Sequence, residues 1–435
     1  MYLGALATRR EVPRLNEPGW VPRFFAHPPN PRCFIVSSMD LGKLISLLGS
    51  NRDLAKLVTW KIRENWILLT NRGVKRLKIM DFCGTHEWTI THYGLRSLVP
   101  GDLELVAGPG CPVCVTPSHF VEVLIKLSLD GIVVYVYGDV YKLRSTRSVK
   151  SAYSLAESRS LGGDVRVVTD ILSAIRDAKS HGKPSVFAGI GFETVAPGYA
   201  QTILAGHLPG NLKILPLVKL TPPAMFYALD VSREKPTEPP IMGVIAPGHV
   251  STITGAKAWT PVSENYNIPV VVSGFEPVDV LVSILEILKQ LSRGEAKTVI
   301  EYTRAVSWHG DLGAQAAINK VFESVDDAWR GIGYLPKSGL RLREKYKIHD
   351  AFYEYGIREP PPGELKDMPP GCRCAEVVLG KAYPTQCPLF LKACTPQRPV
   401  GPCMVSIEGT CAIWAKYGSR ELLSKLREEL SCRAV

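Results

Sequence analysis

The sequence predicts an α/β protein in which two similar parallel-sheet domains are followed by a cysteine-rich C-terminal region. Three observations carry that expectation. From Arg76 onward, short apolar runs that end in Gly-rich loops alternate with amphipathic segments, as expected of buried parallel strands joined by helical crossovers. One order of features also occurs twice. A strand, Cys83-Gly84-Thr85-His86, a helix, Pro100-Gly101-Asp102-Leu103, a strand and Thr116-Pro117 are echoed by a strand, Gly191-Phe192-Glu193-Thr194, a helix, Pro209-Gly210-Asn211-Leu212, a strand and Thr221-Pro222. Finally, six cysteines fall between Cys372 and Cys411, beyond the Pro-rich stretches Pro360-Pro361-Pro362 and Pro369-Pro370.

In chain order, residues 1–38 are dense in Pro and Arg and are expected to be a poorly ordered extension, with Met39 offering an alternative start. Residues 39–75 read as helical, first through Leu41, Leu44, Ile45, Leu47 and Leu48, then through Leu54, Leu57, Val58, Ile62 and Trp66. This segment is expected to pack with the C-terminal domain. Residues 76–180 form the first expected α/β domain, with strands over 77–82, 103–107, 132–137 and 165–168 and helices over 90–98, after Pro117, over 152–161 and over 171–178. Residues 181–335 form the second, with a strand over 185–189 and further strands ending at Pro247-Gly248-His249-Val250 and Gly274-Phe275-Glu276-Pro277. Residues 336–435 are left for the third domain.

Composition narrows the function. The net charge of +11 is spread among acids, and the basic segments lack interleaved aromatic platforms, so no nucleic-acid partner is expected. No apolar run reaches the roughly 18 to 20 residues of a membrane span, and the N-terminus lacks a signal-peptide core. A cytoplasmic protein is expected, and there eleven cysteines in clusters point to metal or redox chemistry rather than structural disulfides.

The stretch Gly108-Pro109-Gly110-Cys111-Pro112-Val113-Cys114 places two thiols on a strand-to-helix loop. Thiols at this spacing close a disulfide, share a metal, relay electrons or simply pack as small apolar residues. A nearby helix start favours thiolate. Cys83 ends the preceding strand. Cys372, Cys387, Cys394 and Cys411 follow the spacing C-x14-C-x6-C-x16-C. Four thiolates suit zinc or an iron-sulfur cluster, and a spacing unlike paired C-x2-C knuckles favours 4Fe-4S. Cys374 and Cys403 remain as a second redox pair or as packed thiols. Glu193 is expected to cap its own helix, Asp139 is a candidate only by its strand end, and His249 stands between satisfying loop backbone and touching a ligand. His92, His119, His309 and His349 read as surface or packed residues.

The ordered set Cys83 to Glu87, Gly108 to Cys114, Gly191 to Thr194, Pro247 to Val250, Gly274 to Pro277 and the C-terminal cysteines resembles the HypD family of hydrogenase maturation factors, from about Met39 to Tyr417. The resemblance implies two similar α/β domains plus a mainly helical, cysteine-rich iron-sulfur domain. It implies a redox-active assembly scaffold that acts in NiFe hydrogenase maturation rather than a conventional turnover enzyme. With a HypC-type small chaperone such a scaffold holds the iron that receives cyanide and carbon monoxide to become Fe(CN)2CO, and the cyanide comes from a HypE-type donor charged by HypF. By position, Cys83 resembles the iron-holding cysteine and His86 its neighbouring histidine. Cys111 and Cys114 resemble the redox pair. Cys372, Cys387, Cys394 and Cys411 resemble the 4Fe-4S ligands, with Cys374 and Cys403 as intermediate thiols. Trp88 departs from the family pattern where many relatives have a second histidine, and Ile407 replaces a small polar residue. The alternative class is a stand-alone iron-sulfur-dependent disulfide reductase, for which the lone Cys83 beside a histidine has no use. A zinc-binding interaction module is less well supported, and no C-x3-C-x2-C is present for a radical enzyme.

Overall fold

Each strand of the core is a short apolar run, and in the computed structural model these runs form two parallel sheets. The structure describes residues 51–234, 239–361 and 367–418. The extension expected over 1–38 and the first helix expected within 39–75 lie outside them. The strands are β1 Leu77–Asp81, β2 Leu103–Ala107, β3 Val133–Val136, β4 Val165–Val167, β5 Ser185–Gly191, β6 Leu212–Val218, β7 Ile241–Pro247, β8 Val270–Ser273 and β9 Thr298–Ile300. The first sheet has the order β2-β1-β7-β8-β9 and the second β4-β3-β5-β6, with every pairing parallel. Strands β1, β3, β5, β6 and β8 are buried along their whole length. That is why they read as continuous apolar runs rather than alternating ones.

The chain enters the first sheet with β1 and β2, builds the whole of the second with β3 to β6, then returns to complete the first. The expected division into 76–180 and 181–335 therefore misplaces β3 and β4, and also β7, β8 and β9. The reason is physical: one fully buried Val/Ile run resembles another, and the choice of neighbour is made by long-range pairing. The echoed sequence order does have a counterpart. β1 pairs with β2 and β5 with β6, each pair joined by a nine-residue helix, Gly84–His92 in one sheet and Ala196–Leu204 in the other.

The helix Asn51–Thr70 buries Leu54, Val58, Ile62, Trp66 and Leu69, a stripe at helical spacing. The stripe packs on Val280, Ile284, Ile287 and Leu291 of the helix Pro277–Arg293, which covers the first sheet. The expected docking of this segment on the C-terminal domain is thus corrected for its described part.

A hairpin of β10 Phe322–Trp329 and β11 Gly333–Leu342 crosses the expected boundary at 335. It is fixed to the end of β6 by the fully buried pair Lys219 and Asp327, 2.6 Å apart, and by the Leu220 amide donating to the Ser338 carbonyl oxygen at 2.8 Å. Its turn, 330–332, carries Gly331 at a φ of +72°. Beyond the hairpin, described residues 367–418 hold short helices and turns, among them Cys374–Val377 and Thr410–Tyr417. The helix Thr410–Tyr417 packs along Gly84–His92: Trp414 Nε1 donates to Glu87 Oε1 at 2.6 Å, and Trp88 meets Tyr417 edge-on. Trp88, stacked on His92 as well, serves packing here. Among the described residues no helix is long and apolar enough to cross a membrane.

Candidate functional site

Strand order reverses between β1 and β7 in the first sheet and between β3 and β5 in the second. In open α/β sheets ligands bind outside the carboxyl ends of strands at such points. Cys83 follows β1 there, as the extended N-cap residue of the helix Gly84–His92. The CxxC segment is brought against it by backbone contact. Gly108 N–H donates to the Asp81 carbonyl oxygen at 2.7 Å, and Gly84 N–H to that of Gly110 at 3.1 Å. A Cβ on Gly110 would lie 2.6 Å from the Cα and N of Cys83, so only glycine allows this approach.

Cys111 and Cys114 form a disulfide with their Cα atoms 5.3 Å apart. They belong to a single helical turn of their own, Pro112–Val115, with Cys111 as its N-cap, rather than to the open loop expected. Both are nearly buried, at 4% and 3% exposure. Cys83, Cys111 and Cys114 line one narrow cleft together with Asp81, Glu87, Glu408 and Thr410. Burial, reinforced by the Glu408 carboxylate, pushes the Cys83 thiol up to about 12. The backbone and side-chain hydrogen bonds from Thr85 and the amide of His86 oppose that rise without overcoming it. Asp81 is pushed up by burial and then by Glu87, and its Oδ2 has no hydrogen-bond partner.

Glu408 reaches the cleft because its loop is tied to the second sheet. Asp139, just past β3, accepts from Ser406 Oγ at 2.8 Å and from Ile407 N–H at 3.1 Å. The carboxyl end of β3 thus holds a segment of the C-terminal region over Cys83. Exposed Ile407 contributes its amide, so its side chain is incidental to this contact. Glu193 behaves otherwise than expected. Its carboxyl accepts from the backbone N–H of Thr221 at 2.7 Å and from Thr221 Oγ1 at 3.1 Å, at the start of the next helix, Thr221–Arg233.

His86 is fully buried and is not among the residues lining the cleft. Its Nε2 donates to the carbonyl oxygens of Gly274 at 2.9 Å and Ser273 at 3.3 Å, and its Nδ1 has no partner. Burial lowers its pKa to about 4, so the ring is neutral. It stacks on Phe275 with centroids 4.7 Å apart, and Phe275 also stacks with His249 at 4.0 Å. This aromatic arrangement at the ends of β7 and β8 was not singled out from the sequence. Its signals were the pair of Gly-rich loops that carry Phe275 and His249, and His249 itself, which stood between satisfying loop backbone and touching a ligand.

The C-terminal cysteines gather beside the disulfide. Cys374, Cys394, Cys403 and Cys411 share one apolar core with Cys111, Val113 and Cys114. Cys372 Sγ lies 3.3 Å from Cys374 Sγ. Cys403, hydrogen-bonded by Cys374 and Cys411, is held below the ordinary thiol range, while hydrogen bonds with Cys374 and then Cys403 push Cys411 up. Cys394 Sγ accepts from the amides of Val400 at 3.3 Å and Gly401 at 3.5 Å. Cys387 Sγ is within 3.9 Å of the Gly371 carbonyl oxygen, one residue before Cys372. A Cβ on Gly401 would come within 2.6 Å of Cys372 Sγ and 2.8 Å of Cys374 Sγ. Among the described residues no three Cys, His, Asp or Glu side chains stand in a metal-holding arrangement. The thiols hydrogen-bond to one another and to backbone.

A family model named HypD, described as the hydrogenase formation hypA family, matches residues 59–418. The chain belongs to the HypD family. It is 44% identical over 347 residues, 79% of this chain and 93% of the relative, to a Methanocaldococcus jannaschii protein with a provisional hydrogenase expression/formation name. It is 36% identical to the hydrogenase maturation factors HypD of Azotobacter vinelandii, over 79% of this chain and 90% of that one, and of Cupriavidus necator, over 80% and 91%. In this HypD-family chain the match spans the cleft, both sheets and the gathered cysteines.

Proposed function

We propose that this protein acts in NiFe hydrogenase maturation as a scaffold on which, with a HypC-type small chaperone, an iron is held at Cys83 while cyanide and carbon monoxide are attached to give the Fe(CN)2CO group. A HypE-type protein delivers the cyanide. The observation that carries this reading is the convergence of Cys83 with the Cys111–Cys114 disulfide in one narrow cleft, in a chain whose relatives are named for hydrogenase maturation. A low-spin iron with strong-field ligands prefers soft thiolate donors. The half-buried thiol of Cys83 therefore gives up its proton when the iron cargo arrives, because a metal supplies the charge that its surroundings withhold.

A 4Fe-4S cluster held by Cys372, Cys387, Cys394 and Cys411 completes the proposal. Six thiols in forty residues, backbone N–H groups aimed at Cys394 Sγ and a buried arginine with an unpartnered N–H beside the array fit an anionic thiolate-bound group. When bound, the cluster supplies single electrons. Cys374 and Cys403, which share an apolar core with Cys111 and Cys114, would provide exchangeable thiols that pass reducing equivalents to the disulfide.

Infrared spectroscopy of the protein purified anaerobically with its small chaperone tests the reading. Cyanide and carbonyl stretches are expected. Their absence from a sample that nonetheless reduces disulfides with electrons from its cluster would favour the stand-alone reductase.

A further inference from the structure

Arg330 sits in the turn of the β10–β11 hairpin, and the turn is inserted between the two groups of cysteines. Its backbone N–H donates to the Val115 carbonyl oxygen at 2.7 Å, one residue past Cys114. Its side chain runs the other way. Nε donates to the Asp367 carbonyl oxygen and Nη2 to that of Arg144, each at 2.9 Å. Nη1 is buried without a hydrogen-bond partner in a residue only 2% exposed. Its charge acts on Asp367, Cys374, Cys372 and Cys403. Burial pushes the Asp367 carboxyl up while Arg330 opposes that rise, and Asp367 Oδ2 is also without a hydrogen-bond partner, so this charge pair leaves the Nη1–H of Arg330 unused. A buried cation with an idle donor beside a group of thiols is costly unless an anion joins it.

We propose that Arg330 donates its Nη1–H to a sulfur of the cluster bound by the C-terminal cysteines and thereby raises the reduction potential of that cluster. The inference rests on the 4Fe-4S reading above. Arg330 is a positioning and tuning residue that touches neither the iron cargo nor the disulfide sulfurs. A cation and a hydrogen bond at a cluster sulfur both favour the extra electron.

The test is a dithionite titration, followed by electron paramagnetic resonance, of the full-length wild-type protein and Arg330→Gln. At a fixed potential the ratio of reduced to oxidised cluster should fall at least tenfold in the variant, about 59 mV for a one-electron couple. An unchanged ratio in a folded, cluster-loaded variant overturns the inference alone. Wild-type protein that takes up no iron and sulfide overturns it as well, and identifies the cluster reading as the failure. Should Arg330→Gln not fold, pulsed resonance on protein labelled with guanidino-15N arginine decides. Arg373 is changed to Gln in that sample, because this guanidinium also lies near the array, although Glu376 and the Gln386 carbonyl oxygen occupy it. A 15N coupling to the reduced cluster supports the inference, and its absence overturns it.

Discussion

At the scale of single residues, two side chains show how burial sets protonation. Cys83 caps a nine-residue helix, where the helix dipole favours a thiolate, yet removal from water and the nearby Glu408 push its thiol up instead. Glu193, expected to cap its own helix, reaches the next one, and burial raises its carboxyl from 4.5 to about 7. The folded protein therefore keeps a proton on Glu193 that the unfolded chain releases. The contribution of Glu193 to stability is greatest below pH 4.5, falls as the pH rises toward 7 and levels off above it, by an amount on the order of 3 kcal/mol. Asp350, raised to about 6 by burial, adds a slope of the same sign, so the comparison must be with Glu193→Gln. Urea unfolding at pH 5 and pH 8 should show a smaller pH dependence in Glu193→Gln than in the wild type, and an equal dependence in both would contradict the assignment. Gly110 gives a steric counterpart. Gly110→Ala should cost about 1 to 3 kcal/mol of unfolding free energy, because the added Cβ meets the backbone of Cys83. A cost near zero would mean that the CxxC loop is not held against Cys83.

At the scale of elements, the hairpin β10–β11 does the joining, and one buried ion pair fixes it. Lys219 Nζ donates to Asp327 Oδ2 at 2.6 Å and to the Ala328 carbonyl oxygen at 2.7 Å, with Arg341 on the other carboxylate oxygen at 3.3 Å. Lys219→Met should destabilise the protein by about 3 kcal/mol or more, since it leaves part of the Asp327 charge uncompensated in the interior. Chemical denaturation checks this, and a loss under about 1 kcal/mol would show that Arg341 alone suffices. Much at this scale was legible in the sequence. All strands of the two sheets except β9 announced themselves as short apolar runs, and the stripe of Leu54, Val58, Ile62 and Trp66 announced a helix. The helix start at Gly84, six residues ahead of the expected one, was hidden because Gly84 and Thr85 are weak helix formers. The hairpin was hidden too: Pro336 and the adjacent Asp326 and Asp327 speak against strands, and contacts with Lys219 and Arg341 stabilise it instead. Arg330 carried no local signal, because its role comes from where the turn is inserted.

At the scale of the whole molecule, the two sheets and the C-terminal region meet at the cleft, and no single segment holds all its parts. The thiols and their motifs could be read from spacing, whereas the return of the chain to the first sheet and the Asp139 clamp on Ser406 and Ile407 arise from contacts between distant residues. Reversible chemistry at the centre is the first consequence. Alkylation and mass spectrometry should find Cys111 and Cys114 protected before reduction and labelled after it, and labelling of both under oxidising conditions that leave the protein folded would remove the pair from any relay. The central claim is that Cys83 anchors the iron fragment, and the most direct measurement is infrared spectroscopy of Cys83→Ala beside the wild type, each purified anaerobically with the small chaperone and matched for iron and sulfide content. Cyanide and carbonyl bands in the wild type and none in Cys83→Ala is the result predicted here; bands of equal intensity in both would place the anchor elsewhere and contradict the account.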